Sequence, residues 1–264
     1  MAIKGLGEFI ADLQSRGRYT FTRKEAADFH NGSSPAVKKS LQRLAAKGKI
    51  VPIHRGFYVI VPLEYRKRGI LPPEWFINDL MGFLGVQYYV GLLSAAAIHG
   101  AAHQQPQEFQ VVVASSIRDI ELSSLHIRFF KKAHLSSIPT AQTKTGTGYI
   151  SVSSPGSTAI DLVAYERRIG GLSRVVTILQ ELRDRLDPTG LVEAAEAEQS
   201  LAPIQRLGFI LEKMGQGNLV GELRKWVASK SPRPTPLQTG SSRKGSQRDA
   251  NWNVIQNAEL EGDL

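Results

Sequence analysis

Between residues 22 and 61 the chain marks the ends of its own elements so closely that only two short helices and a hairpin fit. Thr22-Arg23-Lys24-Glu25 is a capping box, in which hydroxyl and carboxylate satisfy amide donors that a helix start leaves orphaned. The helix it opens runs from Arg23 to about Phe29, and His30-Asn31-Gly32-Ser33 is a turn. Ser34-Pro35 reads as an N-cap with proline in the first helical position, where its missing amide costs nothing. The helix that follows turns Val37, Leu41, Leu44 and Ala45 inward and stops at Gly48, a left-handed C-cap. Lys49–Ile53, a His54-Arg55-Gly56 turn and Phe57–Val61 make a β-hairpin. Upstream, Leu6, Phe9, Ile10 and Leu13 recur at helical spacing and end before Gly17. Three helices and a hairpin in this order predict a winged helix-turn-helix. In that architecture the last helix enters the DNA major groove and the hairpin lies along the backbone.

The formal charge of +9 falls entirely in this part of the chain. Residues 1–68 hold 14 Lys and Arg against five Asp and Glu, whereas the rest holds 19 of each sign. Lys and Arg neutralise phosphates and release counterions, so this distribution favours double-stranded DNA as partner. On the third helix Lys38, Lys39, Gln42, Arg43 and Lys47 point away from the apolar face. Gln42 and Arg43 also have the length and donors to reach base edges. Ser33 and Ser34, at the start of that helix, can donate to a phosphate that the helix dipole favours. Thr22 and Arg23 open the helix before it, and His54 and Arg55 put a cation at the hairpin tip. These eleven residues are the candidate DNA-binding set.

The predicted class is α+β: a winged helix-turn-helix domain over residues 1–68, then a larger mixed α/β domain over 74–228. Pro62–Pro73 reads as a linker carrying Arg66-Lys67-Arg68. Helices are expected over 74–84, 88–99, 158–168, 172–186, 188–199, 201–214 and 218–228, and strands over 109–114, 126–132 and 149–153. Residues 229–264 read as a flexible extension. Pro232, Pro234 and Pro236 open a Ser-, Gly-, Gln- and Arg-rich stretch too poor in large apolar groups to order itself. Asn251–Gln256 has the alternation of a short strand, with Trp252, Val254 and Ile255; an isolated strand is not stable alone, so it either adds to a sheet edge of this chain or a partner, the favoured reading, or stays disordered with Trp252 exposed.

The chain contains no cysteine, which removes disulfides, thiolate metal sites and cysteine nucleophiles together and fits a reducing compartment. Glu8 and Asp12 interrupt the first apolar stretch, which is therefore no signal peptide. The longest apolar stretch, Tyr88–Ile98, is well short of the ~20 residues that span a bilayer. A cytoplasmic protein with no membrane partner is the expectation. His99 and His103 have the spacing of two metal ligands on one helix face, but Gly100 stands where a metalloprotease carries its glutamate base. A packed or capping pair is the better reading. Asp119 and Glu121 lack the lysine a nuclease would place just beyond them and read as a surface loop. Gly146-Thr147-Gly148 lacks a phosphate-binding ending and reads as a hairpin turn, and Ser153, Ser154 and Ser157 have no triad partners nearby. No catalytic residue, metal site or cofactor is expected.

The order of motifs across the chain resembles the AbiEi family of antitoxins from type IV toxin–antitoxin systems, over residues 1 to about 228. The motifs are Arg55-Gly-Phe-Tyr58, Leu93-Ser-Ala-Ala-Ala-Ile-His-Gly100, Val152–Val163, Gly170-Gly171 and Gln205-Arg-Leu-Gly-Phe-Ile-Leu-Glu212. Where the family often has Pro-Glu-Arg-Thr, this chain has Pro155-Gly-Ser-Thr158. The resemblance implies a transcriptional autorepressor that binds inverted repeats at its promoter and places two copies there. It also implies an antitoxin against a nucleotidyltransferase-like toxin with which it need not form a stable complex. From the residues alone, Leu207, Ile210 and Leu211 are core packing. Two other classes fit the sequence: a sequence-specific nuclease guided by a winged helix, and a ligand-sensing transcription regulator without a toxin.

Overall fold

In a computed structural model of the chain, residues 5–101 and 107–260 are described. The N-terminal part comprises α1 (Leu6–Ser15), β1 (Thr20–Thr22), α2 (Arg23–His30), α3 (Ser34–Ala46), β2 (Ile50–His54) and β3 (Phe57–Ile60). The helices bury Leu6, Phe9, Ile10, Leu13, Val37 and Leu41 against Phe21 and Ile60. Strand β1, which the sequence did not predict, pairs antiparallel with β3, and β2 pairs on the other side. Three residues are too few to show a periodicity, and only the partner strand makes them a strand.

The rest is built on β4 (Tyr88–Val90), β5 (Phe109–Val113), β6 (Ile120–Leu122), β7 (Leu125–Lys131), β8 (Thr140–Lys144) and β9 (Tyr149–Ser153). Their order in one mixed sheet is β6-β7-β5-β4-β9-β8. Helix α4 (Ile77–Leu84) precedes β4, and α5 (Leu92–Ile98) follows it. After the sheet come α6 (Pro155–Ala164), α7 (Leu172–Leu182), α8 (Pro188–Ala197), α9 (Leu201–Lys213) and α10 (Gly221–Ser229). The mixture is α+β. Among the described residues no helix is long and apolar enough to cross a membrane.

The single helix expected over 88–99 is a strand and a helix. Tyr88-Tyr89-Val90 pairs with both β5 and β9, and the chain breaks at Gly91 and at Leu92, whose φ of 54° no helix interior tolerates. A Cβ at position 91 would lie 2.7 Å from Val112, so the break needs glycine. Glu121 is likewise in β6 rather than in a loop, paired antiparallel with β7.

Alternation along β5 sends Val111 and Val113 to one face of the sheet and Val112 to the other. On the Val112 face lie α5–α10. The Val111 face is covered by α4, by Ile70, Leu71 and Phe76, and by Ile53, Phe57 and Val59 of the β2–β3 hairpin. Pro62–Pro73 is therefore no loose linker: its end is buried in a core that both parts of the chain share. Thr20 Oγ1 also donates to Asp79 Oδ2 across that boundary (2.5 Å). A chain cut at residue 68 would expose the two halves of one apolar layer.

The C-terminal segment departs from the flexible extension expected over 229–264, whereas Asn251–Gln256 docks, the outcome favoured for it. Strands β10 (Thr235–Pro236) and β11 (Val254–Ile255) pair in parallel, and Trp252, Val254 and Leu237 are buried against α9 and its neighbours. The Trp252 ring lies on Gly208, where a Cβ would come within 2.0 Å of it. Its indole N–H donates to Glu212. Composition predicted disorder because the segment has little apolar surface, but that surface is concentrated in a few residues for which α9 supplies a matched socket. Gly208→Ala is expected to expel the ring, forfeiting a burial worth about 3–5 kcal/mol. The emission difference between Gly208→Ala and Gly208→Ala/Trp252→Phe would then report a red-shifted, quenchable indole. A blue-shifted, protected signal would show the ring still seated.

Candidate nucleic-acid interface

Each candidate contact is positioned by a local rule. Thr22 caps α2: its hydroxyl accepts from the Glu25 amide (3.2 Å) while its own amide donates to Glu25 Oε2 (2.7 Å). The Thr22 hydroxyl proton also goes to Glu25, at 2.8 Å, so this side chain is engaged within the protein. Arg18 pairs with the same carboxylate at 2.5 Å. Burial alone would push Glu25 up, but the Thr22 amide and the Arg18 guanidinium outweigh it and hold it below the usual carboxylate value. The capping box thus adds stability at neutral pH that is lost as acid protonates Glu25.

Asn31, at φ 54°, ends α2 in the left-handed conformation, and Gly32 follows. His30 is buried beneath that turn, its Nδ1 only 2.4 Å from where a Cβ on residue 32 would stand. Ser33, not Ser34, is the N-cap of α3, without a side-chain capping bond, and Ser34 takes the first helical position ahead of Pro35. Arg23 Nη2 reaches across to donate to Ser34 Oγ (3.1 Å), tying the starts of α2 and α3 together. Gly48 lies just past the end of α3 at φ 62°.

Val37 and Leu41 are buried, and Lys38, Lys39, Gln42, Arg43 and Lys47 are exposed on the other side of α3. Among the described residues none of these four cations makes an ion pair, whereas Arg16 and Arg18 are paired to Asp12 and Glu25. Unpaired cations on one helical face are free to meet an external anion. The Arg23 amide donates to Gly56 O (2.8 Å), fixing the hairpin tip beside α2. Arg23, His54 and Arg55 consequently line one open cleft with Pro52 and Tyr58. The inner side of the tip rests on the second part of the chain: the Phe57 and Phe83 rings are 5.4 Å apart, and His54 and Phe83 are 6.1 Å apart. Arg55 stays exposed. The structure thus groups the α3 cations, Arg23 with Ser34, and Arg23 with His54 and Arg55.

Residues 8–61 match the family model described as transcriptional regulator, AbiEi antitoxin, and residues 89–213 match that of the AbiEi antitoxin C-terminal domain. The chain belongs to the AbiEi antitoxin family. It is an antitoxin and transcriptional-regulator type of chain with an N-terminal regulator domain. The crystal structure of the RV2827C protein from Mycobacterium tuberculosis is similar over 100% of this AbiEi chain and 93% of its own, with a TM-score of 0.68 and 13% identity. At that identity the likeness is one of fold. An antigenic nucleotidyltransferase-like protein from Paracoccidioides brasiliensis has a TM-score of 0.39 and 9% identity over 57% of this chain and 90% of its own, too low to carry an argument. No curated protein sequence matches.

The residues weighed for chemistry in the AbiEi C-terminal domain have structural partners. The His99 ring bonds Ser153 O at 2.7 Å, and burial lowers its pKa; His103 lies outside the described residues. Asp119 Oδ1 accepts from the Phe129 amide (2.8 Å). Ser154 caps α6, and Ser153 and Thr158 share a hydrogen bond of 2.7 Å. Gly146 and Thr147 turn between β8 and β9, where the Thr145 amide donates to Gly148 O. Among the described residues no group of three or more His, Cys, Asp or Glu could hold a metal ion.

Among the charged groups that sequence reasoning missed is a buried cluster around Lys132. Lys132 Nζ sits between Asp161 Oδ1 (2.6 Å) and Glu198 Oε2 (2.5 Å), and Tyr89 donates its hydroxyl to Asp161 Oδ2 (2.8 Å). Burial pushes Asp161 above the usual carboxylate range, and the Lys132 charge only partly opposes it. Burial would lower Lys132, but the two carboxylates outweigh that and hold it above its ordinary value. Nearby, burial raises the Tyr165 phenol to about 12. The available signal was Asp161 itself, a lone acid inside the apolar run Ala159–Val163. Nothing in the sequence pairs it with Lys132 or Glu198.

Proposed function

We propose that this AbiEi chain binds double-stranded promoter DNA through a winged helix-turn-helix within residues 1–68 and represses its own type IV toxin–antitoxin operon. Residues 74–228 counteract a nucleotidyltransferase-like toxin without catalysis, and need not form a stable complex with it. The observation that supports this best is the exposed α3 face, where Lys38, Lys39, Arg43 and Lys47 are unpaired beside Gln42. Helix α3 enters the major groove, the open start at Ser33 and Ser34 meets a phosphate, and Arg23, His54 and Arg55 follow the backbone. Inverted repeats require two copies of this surface on one DNA.

The test uses the full chain: a gel shift on the DNA upstream of its gene, and co-expression with the adjacent toxin gene in a growth assay. A specific shift together with restored growth is the expected result. Cleavage of the same DNA on adding a divalent cation would replace this reading with a nuclease. Binding controlled by a small metabolite, with no protection, would replace it with a ligand-sensing regulator.

A further inference from the structure

Helix α4 divides its side chains between two duties. Ile77, Leu80 and Met81 are buried in the core that the hairpin and the large sheet share. Asp79 and Phe83 are exposed and one turn apart, and residues four apart lie on one face of a helix. Both meet the N-terminal part of the chain: Asp79 takes the Thr20 hydroxyl at 2.5 Å, and Phe83 lies against the tip of the β2–β3 hairpin. The Phe83 side chain is 39% exposed, so the core does not require an aromatic there. What it touches is the tip. Besides facing the His54 and Phe57 rings, its Cζ is 3.6 Å from where a Cβ on Gly56 would stand.

The tip is a weak point of the small sheet. There β2 is an edge strand, its pairing with β3 shifts register between Pro52 and His54, and only Arg55 and Gly56 join the two. An edge with a shifted register leaves the loop few backbone bonds to fix its direction. One support is the Arg23 amide on Gly56 O, at 2.8 Å. Phe83 is the other, and Arg55 projects from the tip into solvent. A loop ordered before it binds avoids the entropy cost of being ordered by its ligand. We propose that Phe83 is a positioning residue for DNA recognition: it seats the hairpin tip so that Arg55 meets a backbone phosphate in a preset direction. The inference rests on the reading of DNA by α3 and the hairpin proposed above. It adds that the C-terminal part of the chain contributes to operator affinity without touching DNA.

The test is a double-mutant cycle on the full chain, read by gel shift over a salt series on the DNA upstream of its gene. Arg55→Ala should weaken binding roughly tenfold and flatten the slope of log affinity against log salt by ~0.9, the loss of one phosphate contact. Phe83→Ala should reproduce both effects although it removes no charge. Phe83→Leu, which keeps an apolar body against the tip, should recover most of the affinity. Because the two residues act through one contact, Phe83→Ala/Arg55→Ala should bind nearly as well as Arg55→Ala alone. The losses from Phe83→Ala and Lys39→Ala should instead multiply, since Lys39 lies on α3, outside that contact. Losses that also multiply for the pair with Arg55, or a Phe83→Ala variant with unaltered affinity and slope, would overturn the proposal. So would an Arg55→Ala variant that binds normally. In that case the triple variant Lys38→Ala/Lys39→Ala/Arg43→Ala decides the wider reading: lost binding keeps DNA recognition by α3, and an unaltered shift removes it.

Discussion

Replacing Lys132 by methionine is expected to destabilise the chain by about 3–5 kcal/mol at neutral pH, because it strands two buried carboxylates without a cation. For a chain of this length that lowers the melting temperature by on the order of 10 °C. Asp161 is fully buried and Glu198 nearly so, and water cannot replace the lysine cheaply. The pH dependence separates charge from packing. Asp161 is raised in the fold, and a carboxylate so raised contributes stability below its unfolded value and loses it as pH rises through the folded one. Removing Lys132 raises it further, so the deficit should be smaller at pH 5 than at pH 8. Adding Asp161→Asn to Lys132→Met should recover part of the loss at pH 8. A deficit equal at both pH values would assign the effect to the lysine's methylene packing instead.

On the other side of the molecule, alanine at Lys38, Lys39 and Arg43 together is expected to weaken promoter binding on the order of 100-fold or more while leaving the fold intact. All three are exposed on α3, whose buried residues are Val37 and Leu41. Counterion release fixes a second readout: the slope of log affinity against log salt should flatten by ~0.9 for each phosphate that the variant no longer neutralises. Thermal melting controls for folding, and because the exposed cations add nothing to the core, it should be unchanged. A gel-shift salt series with unaltered affinity and slope would remove α3 as the reading face.

The sequence by itself determined the features that depend on near neighbours. The capping box at Thr22–Glu25, the turn at Asn31-Gly32, the exposed cations of α3 and the buried Leu207, Ile210 and Leu211 all follow from residues a few positions apart. The net charge was assigned to the N-terminal quarter by counting alone. Tertiary structure decided what needs a distant partner. β1 exists because β3 passes beside it, and Tyr88–Val90 is a strand because β5 and β9 flank it. Pro62–Pro73 is held because the hairpin and the large sheet share a core. Lys132, Asp161 and Glu198 meet across 66 residues of chain, and Trp252 finds Gly208 across 44. Burial and pairing of this kind are set by three-dimensional proximity, which propensity and local spacing do not encode. A composition too poor to fold alone can still dock, because the surface it needs is supplied by residues far away in the sequence.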